Sequence, residues 1–283
     1  MIKIMLVKKI ARSRPTLEGA GVHLRRAFGN ADVPLYDPFL MLDDFHSDKP
    51  EDYIAGFPWH PHRGIETVTY MIAGTVKHGD SLGNSGAIHS GDVQWMTAGS
   101  GIIHQEMPQR QKGTLWGLQL WVNLPAKDKM MKPRYRDVKA QDLVEHKLES
   151  GVRVRVIAGK FKGIAGPVKD IVSDPEYLDI SMPEAATFEH IIKSGHTVFA
   201  YVLEGKGFFD PGRQQTISAE HVVLLGGGEK VAISAENGPL RFLLISGKPI
   251  HEPVAWYGPI VMNTEEELAL AFEEYRKGEF IKS

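Results

Sequence analysis

The chain has no cysteine. Disulfides, thiolate nucleophiles, zinc fingers and iron–sulfur clusters are therefore excluded, and any bound metal must rely on histidine and carboxylate. No run of about 18 apolar residues occurs, which excludes a membrane-spanning helix. The apolar stretch within Met1–Lys9 is short and broken by lysines, so no signal peptide is expected and the expected location is the cytoplasm. A long basic run is missing too. The densest one, Lys8, Lys9, Arg12 and Arg14, is cut by Pro15, and the formal net charge is −2. Direct binding of nucleic acid is not expected on this balance, although a DNA-binding protein could still be a partner.

What is present reads as globular. Of the 283 residues, 42% are hydrophobic and 24% charged, enough to bury a core without covalent staples. The 29 glycines and 17 prolines are spread along the chain, which favours many strands and turns over long helices. Extended segments are expected at Val7–Ile10 and Pro38–Leu42. The densest strand-and-turn pattern runs from Gly56 to Pro125. There, β-branched and aromatic Thr67–Ile72 ends at Gly74, Asp92–Met96 precedes Gly99 and Gly101, and Leu118, Leu120, Val122 and Leu124 share one face. Residues 125–150 are polar and read as a connector, with a short helix expected around Gln141–Leu148. Strand patterning returns over 151–250. The clearest helix comes last: Thr264 and Glu267 make a capping-box pattern, Leu268, Ala271, Phe272 and Tyr275 recur at helical spacing, and Gly278 supplies a stop.

The two strand-rich regions resemble each other. Tyr70–Gly74 matches Tyr201–Gly205 at an offset of 131, and Val93–Gly99 matches Val222–Gly228 at an offset of 129. Two similar offsets suggest duplicated barrels.

Chemistry concentrates in His60-Pro61-His62 and His104-Gln105-Glu106. On a strand, residues i and i+2 point to one face, so each pair offers two ligands side by side. If the two strands lie close in one barrel, four ligands converge, and Gly56, Gly64, Gly99 and Gly101 allow the tight turns this needs. Three imidazoles and a carboxylate suit Fe(II), Mn(II), Ni(II), Cu(II) or Zn(II), with iron first on chemistry. An octahedral ion so held keeps two positions open. Glu66, four residues after His62, is a supporting candidate that could orient a histidine. Trp59, Trp95 and Trp121 read as core residues or as the pocket mouth. The nine other histidines lack a partner pattern and read as solvated or structural. Carried into the second copy at the offsets above, the four ligand positions fall on Ile191, Lys193, Ile233 and Ala235, so the second barrel is expected to hold no metal.

The segments Gly56–Val68 and Gly91–Met107, which contain both pairs, resemble the two signature motifs of pirins, members of the cupin superfamily. Leu118–Leu124 and Tyr257–Thr264 match the family as well, so the resemblance spans essentially the whole chain. It implies an all-β bicupin: two antiparallel β-barrels face to face with a C-terminal helix. The implied domains are a metal-binding barrel at 1–130, a degenerate barrel at 131–250, and a C-terminal segment at 251–283 packing back on the first. It implies one non-haem Fe(II) held by His60, His62, His104 and Glu106. Some pirins resemble quercetin 2,3-dioxygenases. The implied chemistry is then O2-dependent ring opening of a flavonol or related phenol with release of carbon monoxide. In that reaction the substrate 3-hydroxyl ligates iron and the catalytic Glu106 accepts its proton. Other pirins are non-catalytic, redox-sensing co-regulators that act on transcription or on enzymes through protein partners. A monomer is expected, with no membrane or nucleic-acid partner.

Overall fold

The computed structural model describes residues 2–282. Strand β1 (Leu6–Arg12) comes first. Then follow β2 (Arg14–Glu18), β3 (Val22–Phe28), β4 (Phe39–Ser47), β5 (Phe57–His62), β6 (Ile65–Ala73), β7 (Thr75–Asp80), β8 (Ser85–His89), β9 (Val93–Thr97), β10 (Ile102–Pro108), β11 (Leu115–Asn123) and β12 (Arg134–Val138). The next group is β13 (Val144–Lys147), β14 (Arg153–Ala158), the short β15 (Lys160–Phe161) and β16 (Ile164–Ala165), β17 (Glu176–Met182) and β18 (Thr187–Ile191). It continues with β19 (Thr197–Glu204), β20 (Lys206–Phe208), β21 (Ile217–Ser218), β22 (His221–Gly226), β23 (Lys230–Ala235) and β24 (Leu240–Gly247). A hairpin, β25 (Ala255–Tyr257) and β26 (Ile260–Met262), and helix α1 (Glu265–Lys277) close the chain. Among the described residues, no helix is long and apolar enough to cross a membrane.

These strands make the same pair of sheets twice. One seven-stranded sheet runs β12-β9-β6-β11-β4-β3-β2 and the other β1-β22-β19-β24-β17-β14-β13; one four-stranded sheet runs β5-β10-β7-β8 and the other β18-β23-β20-β21. The orders correspond strand for strand. The register agrees as well: Tyr70 sits opposite Val93 and Leu118 in the first copy, and Tyr201 opposite Val222 and Leu243 in the second. This is the two-cupin fold, and the repeat anchors Tyr70/Tyr201 and Val93/Val222 occupy equivalent places.

The chain divides into two compact units. The N-terminal barrel unit comprises Arg14–Leu35, Phe39–Ala140 and Ile250–Ser283; the C-terminal barrel unit comprises Met1–Ser13, Tyr36–Pro38 and Gln141–Pro249. Sequence position alone groups residues 1–13 with the first barrel, but β1 pairs with β22 of the C-terminal unit from Leu6 to Arg12. Backbone pairing outranks chain order because an edge strand needs a partner for its N–H and C=O groups.

Two local expectations need correction. The segment expected as a helix at Gln141–Leu148 is a 3-10 turn followed by β13, whose Val144 and His146 pair with Val156 and Val154. The polar stretch 125–150 also contains β12, which takes the open edge of β9 through Arg134, Arg136 and Asp137. Charged edge strands escape a search for apolar runs. Helix α1 matches its pattern fully: Thr264 Oγ1 accepts the Glu267 N–H, the Glu267 carboxylate accepts the Thr264 N–H, and Gly278 closes the helix at φ 75°.

The interior of the C-terminal barrel is filled by Val154, Phe161, Phe188, Ile233 and Phe242, all at most 2% exposed. The N-terminal barrel instead keeps an internal cavity of about 570 Å³.

Candidate metal centre

Strands β5 and β10 are direct antiparallel neighbours, with His60 opposite His104 and His62 opposite Ile102. The two pairs picked from spacing thus meet across a single ladder. The rings of His60, His62 and His104 have centroids 4.5 to 5.0 Å apart, and one ligand nitrogen of each lies within 4.8 Å of the others.

The hydrogen bonds fix which nitrogens are free. His60 Nδ1 donates to Pro58 O at 2.8 Å, and His62 Nδ1 donates to Pro259 O at 3.0 Å. With the proton on Nδ1, each Nε2 carries a lone pair. Those two Nε2 atoms face each other at 3.0 Å, an approach that neutral acceptors tolerate only when a cation or proton lies between them. Two imidazole nitrogens about 2.1 Å from one ion lie about 3.0 Å apart at a right-angled coordination and about 3.4 Å apart at a tetrahedral one. The observed spacing is therefore one at which both nitrogens could bind the same ion. His104 is 1% exposed, and neither of its ring nitrogens has a hydrogen-bond partner. Buried polar atoms are almost always satisfied, so an ion is the natural missing partner. Burial holds the basicity of all three histidines below the ordinary value, His62 and His104 well below it. They are therefore neutral, the form a metal requires.

Glu106 shares its face of β10 with His104 and lines the same cavity, but its carboxylate lies outside the three-histidine cluster. Its Oε1 lies 3.0 Å from Thr69 Oγ1, which is also 2.6 Å from Gln119 Oε1. One hydroxyl proton serves one acceptor. With Gln119 turned this way the arrangement suits a protonated Glu106 that donates to Thr69, which donates in turn to Gln119. Burial agrees, pushing the Glu106 carboxyl up to about 7. A cation on the histidines would draw the proton off.

Glu66 takes no part. It is fully buried, but its oxygens accept from Trp95 Nε1 at 3.1 Å and Thr97 Oγ1 at 2.6 Å rather than from a histidine. The parity count fails because His62 and Glu66 stand on different strands, separated by the turn at Gly64. That turn has φ 77°, and a Cβ at Gly64 would meet Val261 O at 1.9 Å, so only glycine fits. Of the three tryptophans, Trp95 is fully buried core, whereas Trp59 and Trp121 line the cavity.

The C-terminal hairpin completes the site, which spacing could not reveal. Pro259 O orients His62, and Trp121 packs edge-on against His62 at 5.1 Å and lies tilted against Trp256 at 5.7 Å. Arg63, next to His62, is 2% exposed. It donates to Ser100 O at 2.7 Å, Glu274 at 2.6 Å and Phe280 O at 2.7 Å, and lies 4.2 Å over the Phe280 ring. Lys129 is buried beside it, donating to Gly64 O, Asn123 Oδ1 and Val261 O.

Among the described residues, the C-terminal barrel has no such cluster. Register corrects the projected positions. Val76 pairs with Pro108 and its counterpart Gly207 with Ala235, so Val231 stands where His104 does and Ile233 where Glu106 does; Val231 faces His190 across the ladder, and Ile233 faces Phe188. The counterpart of His60 is therefore His190 rather than Ile191. His190 is bound to Glu176 at 2.9 Å.

Known proteins match this architecture. The pirin family profile covers residues 21–122, and that of the pirin C-terminal cupin domain covers 177–281. A Pseudomonas aeruginosa protein with a provisional quercetin 2,3-dioxygenase name is 44% identical over 96% of both chains. A Caulobacter vibrioides pirin-like protein is 43% identical over 97% of this chain and 98% of its own. The crystal structure of a quercetin 2,3-dioxygenase from Acinetobacter baumannii superposes with a TM-score of 0.91 at 32% identity, covering 98% of this chain and 99% of that one. The Escherichia coli pirin YhhW, solved with nickel(II), shares the fold at a TM-score of 0.65 and 21% identity, over 85% of this chain and 99% of its own. With both profiles matched and relatives similar along nearly its whole length, the chain belongs to the pirin family of two-domain cupins.

Proposed function

We propose that this pirin is an Fe(II)-dependent dioxygenase that opens the ring of quercetin or a related flavonol, taking up one dioxygen and releasing one carbon monoxide. The observation that carries the proposal is the pair of lone-pair-bearing Nε2 atoms 3.0 Å apart at a cavity walled by aromatic residues. Relatives named as quercetin 2,3-dioxygenases, one of them 32% identical with a TM-score of 0.91, support it.

His60, His62, His104 and Glu106 would hold the iron. When bound, the ion supplies the redox chemistry that lets dioxygen react with a closed-shell phenol. The protein does the rest. Trp59, Trp121 and Trp256 offer flat apolar surface for a planar ligand. Glu106, freed of its own proton, accepts that of the flavonol 3-hydroxyl, and Thr69 steadies the protonated carboxyl. A carboxyl near neutrality can do both at physiological pH. Aerobic incubation of the iron-loaded protein with quercetin should bleach the flavonol band and release carbon monoxide. No turnover with any of iron, manganese, nickel, copper or zinc, or equal turnover by His104→Ala, would overturn the reading.

A second reading has its own support. Among the described residues, the three-histidine cluster lies in one barrel and the other holds no such set. A non-catalytic, iron-binding regulator would use that barrel toward a protein partner. Partners recovered with the holo but not the apo protein would favour it, and identical partners would count against a metal switch.

A further inference from the structure

Cross-strand neighbours share a face, so register traces rows across a sheet. One row of the N-terminal sheet is polar from end to end. Asp137 on β12 opposes Gln94 on β9, Gln94 opposes Thr69 on β6, and Thr69 opposes Gln119 on β11. Gln119 opposes Asp43 on β4, which opposes Arg26 on β3. The equivalent row of the C-terminal sheet reads Ile10, Val223, Ala200, Leu244, Leu178, Val156. The duplication thus supplies an internal control: the fold is content with six apolar residues here.

The polar row costs desolvation that only hydrogen bonds offset. Gln94, Thr69 and Asp43 are all at most 3% exposed. Gln94 Nε2 donates to Asp137 at 2.9 Å, Thr69 sits between Glu106 and Gln119, and Arg26 grips Asp43 through Nε and Nη2 at 2.8 and 2.7 Å. Arg26 Nη2 also meets Glu18 at 2.9 Å. A local violation of the apolar-interior rule, absent from the sister barrel, marks a functional surface. Four members of the row, Thr69, Gln119, Asp43 and Arg26, line the cavity together with Glu18.

We propose that Gln119 and the Arg26–Asp43–Glu18 cluster form a specificity floor, selecting a planar polyphenol of two or more rings with hydroxyls at the end remote from the metal centre. The identity of the ligand rests on the flavonol reading above. Its length follows from the row: Thr69 to Arg26 spans three strand spacings, about 14 Å, too far for a single ring engaged at Glu106. The hydrogen-bonding character follows from the cluster. The Arg26 Nη1 donors take part in none of the contacts above, and Glu18 keeps a second oxygen. A phenolic hydroxyl donates and accepts, so it suits both. A simple anion meets two carboxylates against one guanidinium and is disfavoured.

The test is equilibrium binding to metal-free protein, read by quenching of tryptophan fluorescence. Luteolin, unsubstituted flavone, the Gln119→Leu variant and the Arg26→Val/Asp43→Leu double variant are compared; each substitution copies the C-terminal row. Neither ligand carries the reactive 3-hydroxyl. Wild type should favour luteolin by about tenfold or more, and the double variant should bring the ratio near one while binding flavone as before. Gln119→Leu should fall between them. Unchanged flavone binding also shows that the variants keep their pocket. A luteolin preference retained in both variants overturns the floor and leaves the flavonol reading standing. Failure of wild type to bind either flavonoid overturns that reading and the floor with it.

Discussion

Replacing Arg63 by methionine should loosen the metal centre from behind. Arg63 touches no candidate ligand atom, yet its guanidinium ties the His62 segment to Ser100 O, Phe280 O and the Glu274 carboxylate. Methionine fills much of the same volume but makes none of these bonds. Two carbonyls and a carboxylate then lose their donor, and removing one partner from a buried ion pair costs about 3–5 kcal/mol. At about 2–4 °C per kcal/mol for a unit of this size, the melting temperature should fall by roughly 10 °C. Metal affinity should fall with it, because helix α1 and the preceding hairpin carry Pro259 O, which holds the His62 ring. Groups that orient a metal ligand typically contribute about 10–100-fold to affinity. Chemical denaturation of the apo variant and metal titration of the folded variant read the two effects separately. A stability loss under about 1 kcal/mol with unchanged metal affinity would refute the reasoning.

Glu66→Gln should leave metal content at the wild-type value, since Glu66 faces Trp95 and Thr97; a loss of metal on elemental analysis would return it to the site. In the apo protein, burial raises Glu106 from the ordinary 4.5 to about 7. The folded chain therefore binds the extra proton between those values and loses relative stability as pH rises through them. Glu106→Gln should thus gain about 3 kcal/mol on wild type at pH 8 and nothing at pH 4.5, by urea melts in chelator; an equal difference at both pH values contradicts this. The lowered His62 and His104 act oppositely, because the unfolded chain binds more protons below about 6.5. His104→Leu should accordingly flatten the acid limb of the apo stability curve. Thr264→Ala should cost about 1 kcal/mol of stability through loss of the α1 cap.

The fold was legible where the pattern was local or repeated. The Thr264–Glu267 box and Gly278 placed α1 to the residue, and the Tyr70/Tyr201 and Val93/Val222 anchors identified equivalent strands. The three histidines were legible because i, i+2 spacing needs only one assumption, that β5 and β10 are neighbours. The misreadings share a cause. Register across a ladder is set by pairing partners, which a linear offset does not contain, so His60 projected onto Ile191 instead of His190, and His104 onto Ile233 instead of Val231. Parity across Gly64 misplaced Glu66 for a similar reason. The carbonyls of Pro58 and Pro259 carry no side-chain signal, and the second of them lies 197 residues from the ring it orients. The polar row from Asp137 to Arg26 was invisible because it runs across six strands rather than along one.

The proposed function requires one metal ion in the N-terminal barrel, which His60, His62, His104 and Glu106 would hold. Metal stoichiometry after reconstitution with Fe(II), measured for wild type and for each of the four alanine variants, tests it most directly. The account predicts one ion per wild-type chain, essentially none in His62→Ala and His104→Ala, and weakened binding in His60→Ala and Glu106→Ala. A full complement of metal in His104→Ala, or a second ion per wild-type chain, would contradict it.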